Sequence, residues 1–120
     1  MDFGVAAGER GDYPTYASRV GQAVASNEGS FGFLFCGSGV GISIAANKVP
    51  GVRCVVCSEP YSALMARRHN NANILALGQR VVGVELALLI VDTFLNAEFE
   101  EGRHQRRLAM ISAIERGEPL

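Results

Sequence analysis

FLFCGSGVGISIAANK, residues 33–48, sets the class of the fold. An apolar run ends at Cys36, the glycine-rich GSGVG of residues 37–41 follows, and a helical period begins at residue 40. A buried strand that turns through glycines into a helix belongs to the α/β class. The rest of the chain repeats that alternation. VRCVVC at 52–57 is apolar and β-branched, and ILAL at 74–77 is a short apolar run closed by Gly78. Both read as strands covered on two faces. Helical periods occupy 14–26, 40–47, 59–72, 84–96 and 104–116, with Pro14 and Pro60 in first turns and Pro50-Gly51 as a turn. The pattern predicts one α/β domain, a parallel sheet sandwiched between helices. The 84–96 helix is apolar nearly all round, which predicts that it is largely buried. In such folds ligands bind beyond the C-terminal ends of the strands. The loops after Cys36, Cys57 and Leu77 converge there.

The bulk numbers narrow the function. A chain of 120 residues with 48% hydrophobic content suits one packed globule. A net charge of −1 offers no basic field for nucleic acid. ALLIVDTFL at 87–95 is broken by Asp92 and is too short to span a bilayer. Met1 is not followed by a charged-then-apolar leader, so a cytoplasmic location is expected. Cys54 and Cys57 spell C-x-x-C, but side chains three apart in a strand point to opposite faces. They read as two small core residues, not a redox pair.

Four groups could carry chemistry. Cys36 closes its strand where loop N–H groups and a helix N-terminus favour anions, a setting that favours thiolate. It is a base or nucleophile beside an oxyanion site, or equally a buried, inert cysteine. Gly37, Gly39 and Gly41 miss the dinucleotide fingerprint, because Ile42 stands where the third glycine belongs. They also lack the Lys-Ser/Thr of a P-loop. The loop is an anion cradle of another kind or a structural tight turn. His69 could move protons and Asn70 could bind hydroxyl groups. Against that, Arg67, Arg68 and His69 are ordinary basic residues for a helix C-terminus. Arg103 and Arg107, one turn apart, could hold a phosphate between them, or form a solvated face beside Glu98, Glu100 and Glu101. No metal is expected: Cys54 and Cys57 lie inside a strand, and His69 and His104 have no partner at ligand spacing.

CGSGVGISIAANKVPGVR, PYSALMARRHNNANILALGQRVVG and EGRHQRR, with DFG at 2–4 and DYP at 12–14, resemble the ribose-5-phosphate isomerase B family. That family also includes galactose-6-phosphate isomerase subunits. The resemblance runs from residue 2 to about 115. It implies a three-layer sandwich with a Rossmann-like parallel sheet and an aldose–ketose isomerase that needs neither metal nor cofactor. The substrate would be ribose 5-phosphate, or alternatively a six-carbon sugar phosphate such as galactose 6-phosphate or allose 6-phosphate. A third reading is a non-catalytic sugar-phosphate-binding subunit. By resemblance Cys36 shuttles a proton between C1 and C2, and the N–H groups of Gly37, Ser38, Gly39, Val40 and Gly41 steady the enediolate. Ser38 stands where the family often has threonine. His69 assists ring opening, Asn70 binds hydroxyls, Arg80 contacts ligand, Tyr13 lies near the sugar, and Arg103 and Arg107 clamp the phosphate. The C-terminal helix, about 104–116, packs on a second subunit of a homodimer or dimer of dimers with shared sites. The family begins with a strand and helix ahead of D-F-G, and that strand bears an Asp-His pair. Here Met1 directly precedes Asp2. The resemblance therefore implies an N-terminally truncated sheet, without the first strand and most of the second, and apolar surface left uncovered at that edge.

Overall fold

The computed structural model describes residues 1–120. In chain order the elements are α1 (Tyr13–Ala25), β1 (Gly32–Cys36), α2 (Val40–Ala46), β2 (Cys54–Val56) and α3 (Pro60–Asn70). They continue with β3 (Ile74–Gly78), α4 (Val84–Asn96) and α5 (Arg103–Glu115). Residues 1–12 join no helix or strand.

The sheet is parallel, in the order β1-β3-β2. Gly32–Cys36 pairs residue for residue with Ile74–Gly78, and Cys54–Val56 pairs with Ile74–Ala76. β3 is therefore central, and all five of its residues are buried. Strand alternation sends its side chains to two separate cores. Ile74 and Ala76 join Leu34, Ala17, Val24 and Ile42 beneath α1 and α2. Leu75 and Leu77 join Ala63, Ala66, Ile90 and Phe94 beneath α3 and α4. Each fully buried side chain of the size of Phe94 or Ile90 contributes about 2 kcal/mol. The result is the expected three-layer sandwich.

Local chemistry explains the helix ends. Pro14 and Pro60 lie in the first turns of α1 and α3, where a missing N–H costs nothing. Asp12 precedes α1 without a side-chain cap, whereas the Glu59 carboxylate accepts from Ser62 N–H at 2.9 Å. α3 stops at Asn70 because Asn71 turns left-handed, φ 47°.

One expectation fails. α4 is not largely buried: only Ile90 and Phe94 are, and Val84 is 75% and Leu88 and Leu89 are 53% exposed. Its sequence is apolar all round, yet a single chain covers one side of it. On the edge strand β1, Phe35 is also 60% exposed.

Candidate active site

Cys36 is the last residue of β1, and residues 37–39 turn the chain into α2. The turn holds Gly39 at φ 80°, a left-handed conformation that side chains resist. Its N–H folds back and donates to Cys36 Sγ at 3.1 Å. A methyl group at Gly39 would lie 2.9 Å from the Leu77 carbonyl carbon and 3.1 Å from the Gly78 nitrogen. At Gly78 it would lie 2.5 Å from the Ser38 carbonyl oxygen. The two loops interlock that closely. Gln79 N–H donates to the Cys36 carbonyl at 2.9 Å and Arg80 N–H to the Gly37 carbonyl at 3.0 Å.

Arg80 and Tyr13 frame this turn. A methyl on Gly37 would stand 3.5 Å from the Arg80 guanidinium, and one on Gly41 would stand 2.8 Å from the Tyr13 ring. Ser38 Oγ accepts from Val40 N–H at 3.2 Å. Cys36 is half-buried, and Ser38, Val40, Tyr13 and Arg80 are exposed. Cys36, Gly37, Ser38, Gly39, Val40, Gly41, Tyr13 and Arg80 thus meet at the C-terminal end of the sheet. The arrangement sets a sulfur beside main-chain donors. That combination can exchange a proton with a substrate carbon while N–H groups hold the developing oxyanion.

His69, Asn70, Arg103 and Arg107 stand elsewhere. α3 ends at Asn70 and the chain then enters β3 at Ile74, whereas Cys36 pairs with Gly78 at the other end of that strand. Five residues at about 3.3 Å each separate the two ends. This follows from the parallel fold: a helix that returns the chain finishes where the next strand starts. One chain therefore keeps His69 and Cys36 at opposite edges of its sheet.

The His69 end is a charged cluster. Arg68 Nε donates to Glu100 Oε1 at 2.6 Å, and Glu100 N–H donates to the Arg68 carbonyl at 2.8 Å. Glu100 Oε2 lies 3.7 Å from His69 Nε2 and 3.9 Å from His104 Nε2. The two imidazoles stack, centroids 4.2 Å apart and planes 15° from parallel. Hydrogen bonding to Arg68 holds the Glu100 carboxyl below its ordinary range. His104 is buried, and desolvation, with His69 and Arg103 adding to it, pushes its pKa down. Exposed Arg103 and Arg107 open α5 at this same end. Asn70 is exposed, and its carbonyl and that of Asn71 accept from Arg53 Nε at 3.2 and 3.0 Å. Buried Arg67 fixes the turn, donating to Asn71 Oδ1 and the Ala72 carbonyl at 2.9 and 2.6 Å. Its guanidinium sits 4.6 Å from the Phe31 ring centroid.

The expectation that His69 and His104 lack a partner at ligand spacing is thus overturned: they face each other across Glu100. The Glu100–His104 spacing of four was the legible signal. Glu100 is also no member of a merely solvated acidic face. Cys54 and Cys57 do point to opposite faces, Cys54 toward α1 and α2, Cys57 toward α3 and α4. Burial pushes the Cys54 thiol up to about 12 and the Cys57 thiol up to about 11. A cleft of ≈ 800 Å³ opens away from Cys36, between α3, α5 and the β2 edge, with Val52, Met65, Ile111 and Ile114 among its walls.

Residues 1–111 match the family model described as Ribose/Galactose Isomerase. The chain is 60% identical over 115 residues to the ribose-5-phosphate isomerase B of Escherichia coli, covering 96% of this chain and 77% of that protein. It is 42% identical over 111 residues to the D-erythrulose-4-phosphate isomerase of Pectobacterium atrosepticum, covering 92% of this chain and 73% of that one. Among solved structures, a Clostridium thermocellum ribose-5-phosphate isomerase B superimposes with a TM-score of 0.94 at 56% identity, covering 98% of this chain and 79% of that one. A Mycoplasma genitalium ribose-5-phosphate isomerase B with bound ribulose-5-phosphate superimposes with a TM-score of 0.86 at 42% identity, covering 97% and 76%.

Proposed function

The chain belongs to the ribose/galactose isomerase family, and we propose that it interconverts ribose 5-phosphate and ribulose 5-phosphate through an enediolate. In the forward direction the Cys36 thiolate takes the proton from C2 of the open-chain aldose. The electron pair left behind forms the C1–C2 double bond as the C1 carbonyl becomes an oxyanion. The proton returns from sulfur to C1, the hydroxyl proton at O2 passes to O1, and O2 becomes the ketone. C1 is reduced as C2 is oxidised, so no outside electron acceptor enters the balance.

The observation that carries this reading is the Gly39 N–H aimed at Cys36 Sγ, at 3.1 Å. It puts the base and a line of main-chain donors on one turn. Of the N–H groups of residues 37–41, those not given to Cys36 Sγ or Ser38 Oγ hold the oxyanion, with Ser38 completing the turn. Arg80 and Tyr13 bound the sugar from either side of that turn. His69 gives a proton to the ring oxygen on opening. Asn70 binds hydroxyls, and Arg103 and Arg107 take the phosphate by bidentate hydrogen bonds.

These two sets of residues serve one substrate only if two chains supply them. We therefore assign the protein to a homodimer or dimer of dimers, in which the Cys36 end of one chain meets the His69 end of its partner. The exposed apolar side of α4 and the exposed Ile111 and Ile114 of α5 favour such an assembly. In it, α5 packs on the second subunit. Three unpaired thiols suit the reducing cytoplasm. No helix is long and apolar enough to cross a membrane.

The deciding experiment is an isomerase assay on four-, five- and six-carbon sugar phosphates, with Cys36→Ala beside the unaltered chain. Turnover of ribose 5-phosphate that Cys36→Ala abolishes is the expected result. A preference for a six-carbon sugar phosphate would correct the substrate. Unchanged turnover in Cys36→Ala would place the base elsewhere.

A further inference from the structure

We propose that Arg53 and Arg67 hold an oxyanion, the phosphate group of a small phosphorylated metabolite, in a cavity at the N-terminal end of the sheet. The cavity measures ≈ 460 Å³, the size of a small-molecule site. Phe31, Arg53 and Asn73, each one residue ahead of a strand, help to line it. Arg67 and Asn71 enter from the end of α3. None of the residues assigned to the isomerase site is among its walls.

The two guanidiniums share this space without a carboxylate partner. The ion pairs of the chain join Arg68, His69 and His104 to Glu100, and Arg116 to Glu118. Glu28 is the one acid on the walls, and it is exposed. Glu115 attracts Arg53, but both its oxygens accept from Gly51 N–H at 3.1 Å. Arg67 is 8% exposed, and burial, with the charge of Arg53 adding to it, pushes its pKa down. An anion between the two would offset both effects.

The carbonyls at the end of α3 are already answered. Arg53 Nε serves those of Asn70 and Asn71, and Arg67 Nη1 serves Asn71 Oδ1 and the Ala72 carbonyl. Both Nη groups of Arg53 and Nη2 of Arg67 are left over, and Arg67 Nε is buried with no partner. Guanidinium donors match phosphate oxygens in pairs. Val24 and Phe31 give the cavity an apolar wall for the organic body of an ester.

The test follows backbone and arginine N–H signals by proton–nitrogen NMR. The whole chain is titrated with inorganic phosphate, then with glycerol 3-phosphate, at fixed ionic strength. The expected result is saturable shifts at Phe31, Arg53 and Arg67, with the ester binding more tightly than inorganic phosphate. Arg53→Gln should weaken both about ten- to hundredfold. Glu28→Gln should tighten them by removing the opposing charge, and Arg107→Gln should leave them unaltered. Circular dichroism checks folding; if Arg53→Gln unfolds, Arg53→Lys decides, since it keeps the charge and loses the fork. No saturable shift at Phe31, or shifts that vanish in Arg107→Gln or survive the change at Arg53, would overturn the site. So would equal shifts from citrate or chloride, or an ester that binds more weakly than inorganic phosphate.

Discussion

Gly39 and Cys36 are joined by a hydrogen bond in which a main-chain N–H donates to the thiol sulfur at 3.1 Å. The donor is fixed by a left-handed turn that only glycine makes without strain. Removing the sulfur leaves the turn intact. Cys36→Ala should lower kcat by about 10²–10⁴-fold, the usual worth of a positioned base, with sugar-phosphate affinity nearly unchanged. Steady-state kinetics alongside ligand titration checks both halves.

Gly39→Ala should fail differently. Its methyl meets main-chain atoms of Leu77 and Gly78 that cannot move without the sheet. A loss of about 2–4 kcal/mol is expected, from the positive φ together with the overpacking. Urea unfolding measures it. A variant as stable as the parent would show that the turn has room that its geometry denies.

The three thiols should react unequally. Burial holds Cys57 and Cys54 protonated until about pH 11 and 12, and thiolate is the reactive form. Iodoacetamide near neutral pH should therefore label Cys36 first, with loss of activity in step. Peptide mass mapping reads the order, and early labelling of Cys54 would contradict it.

Arg67 is predicted to be irreplaceable by lysine. Its planar guanidinium serves Asn71 Oδ1 and the Ala72 carbonyl while stacking on Phe31. Arg67→Ala should cost about 2–4 kcal/mol, for one buried and one half-buried acceptor left unpaired and a lost cation–π contact. Arg67→Lys should recover little of that in denaturant titrations.

Acid should destabilise the His69 end in two stages. His104 in the folded chain titrates below its ordinary 6.5, so the unfolded chain binds the proton first. Stability is whole above about pH 6.5 and falls as pH drops below it. Glu100, held down by Arg68, adds a second loss as pH falls below about 4.5. His104→Gln should remove the first slope and leave the second, read from urea midpoints across pH.

Chains that carry opposite lesions should rescue each other. Mixing Cys36→Ala with His69→Ala before assembly would create one damaged and one intact site in each mixed dimer. Half of the dimers are then mixed and half of their sites intact, so activity should rise toward about a quarter that of the unaltered protein. No recovery after confirmed subunit exchange would mean that the site is not shared.

Much of this was legible in the residues. The strand around Cys36, the turn through Gly39 and the alternation of Cys54 and Cys57 follow from local periodicity, and they stand where that periodicity puts them. Two features did not follow. The pattern of α4 states that its side chains avoid water, not that this chain leaves Val84 and Leu88 exposed. The meeting of His69 with His104 joins residues from separate helices, and only tertiary packing brings them together. That His69 and Cys36 occupy opposite sheet ends does follow from order along the chain, since His69 closes the helix that leads into β3 and Cys36 closes β1.

The interlocked loops beyond β1 and β3 have one more consequence. Hydrogen bonds from Gln79 and Arg80 continue the sheet past its last paired residues, to the carbonyls of Cys36 and Gly37. The turn after Cys36 is thus an extension of the central strand rather than a flap attached to it. The amide hydrogens of Gln79 and Arg80, which make those bonds, should exchange with deuterium more slowly than those of an ordinary surface loop.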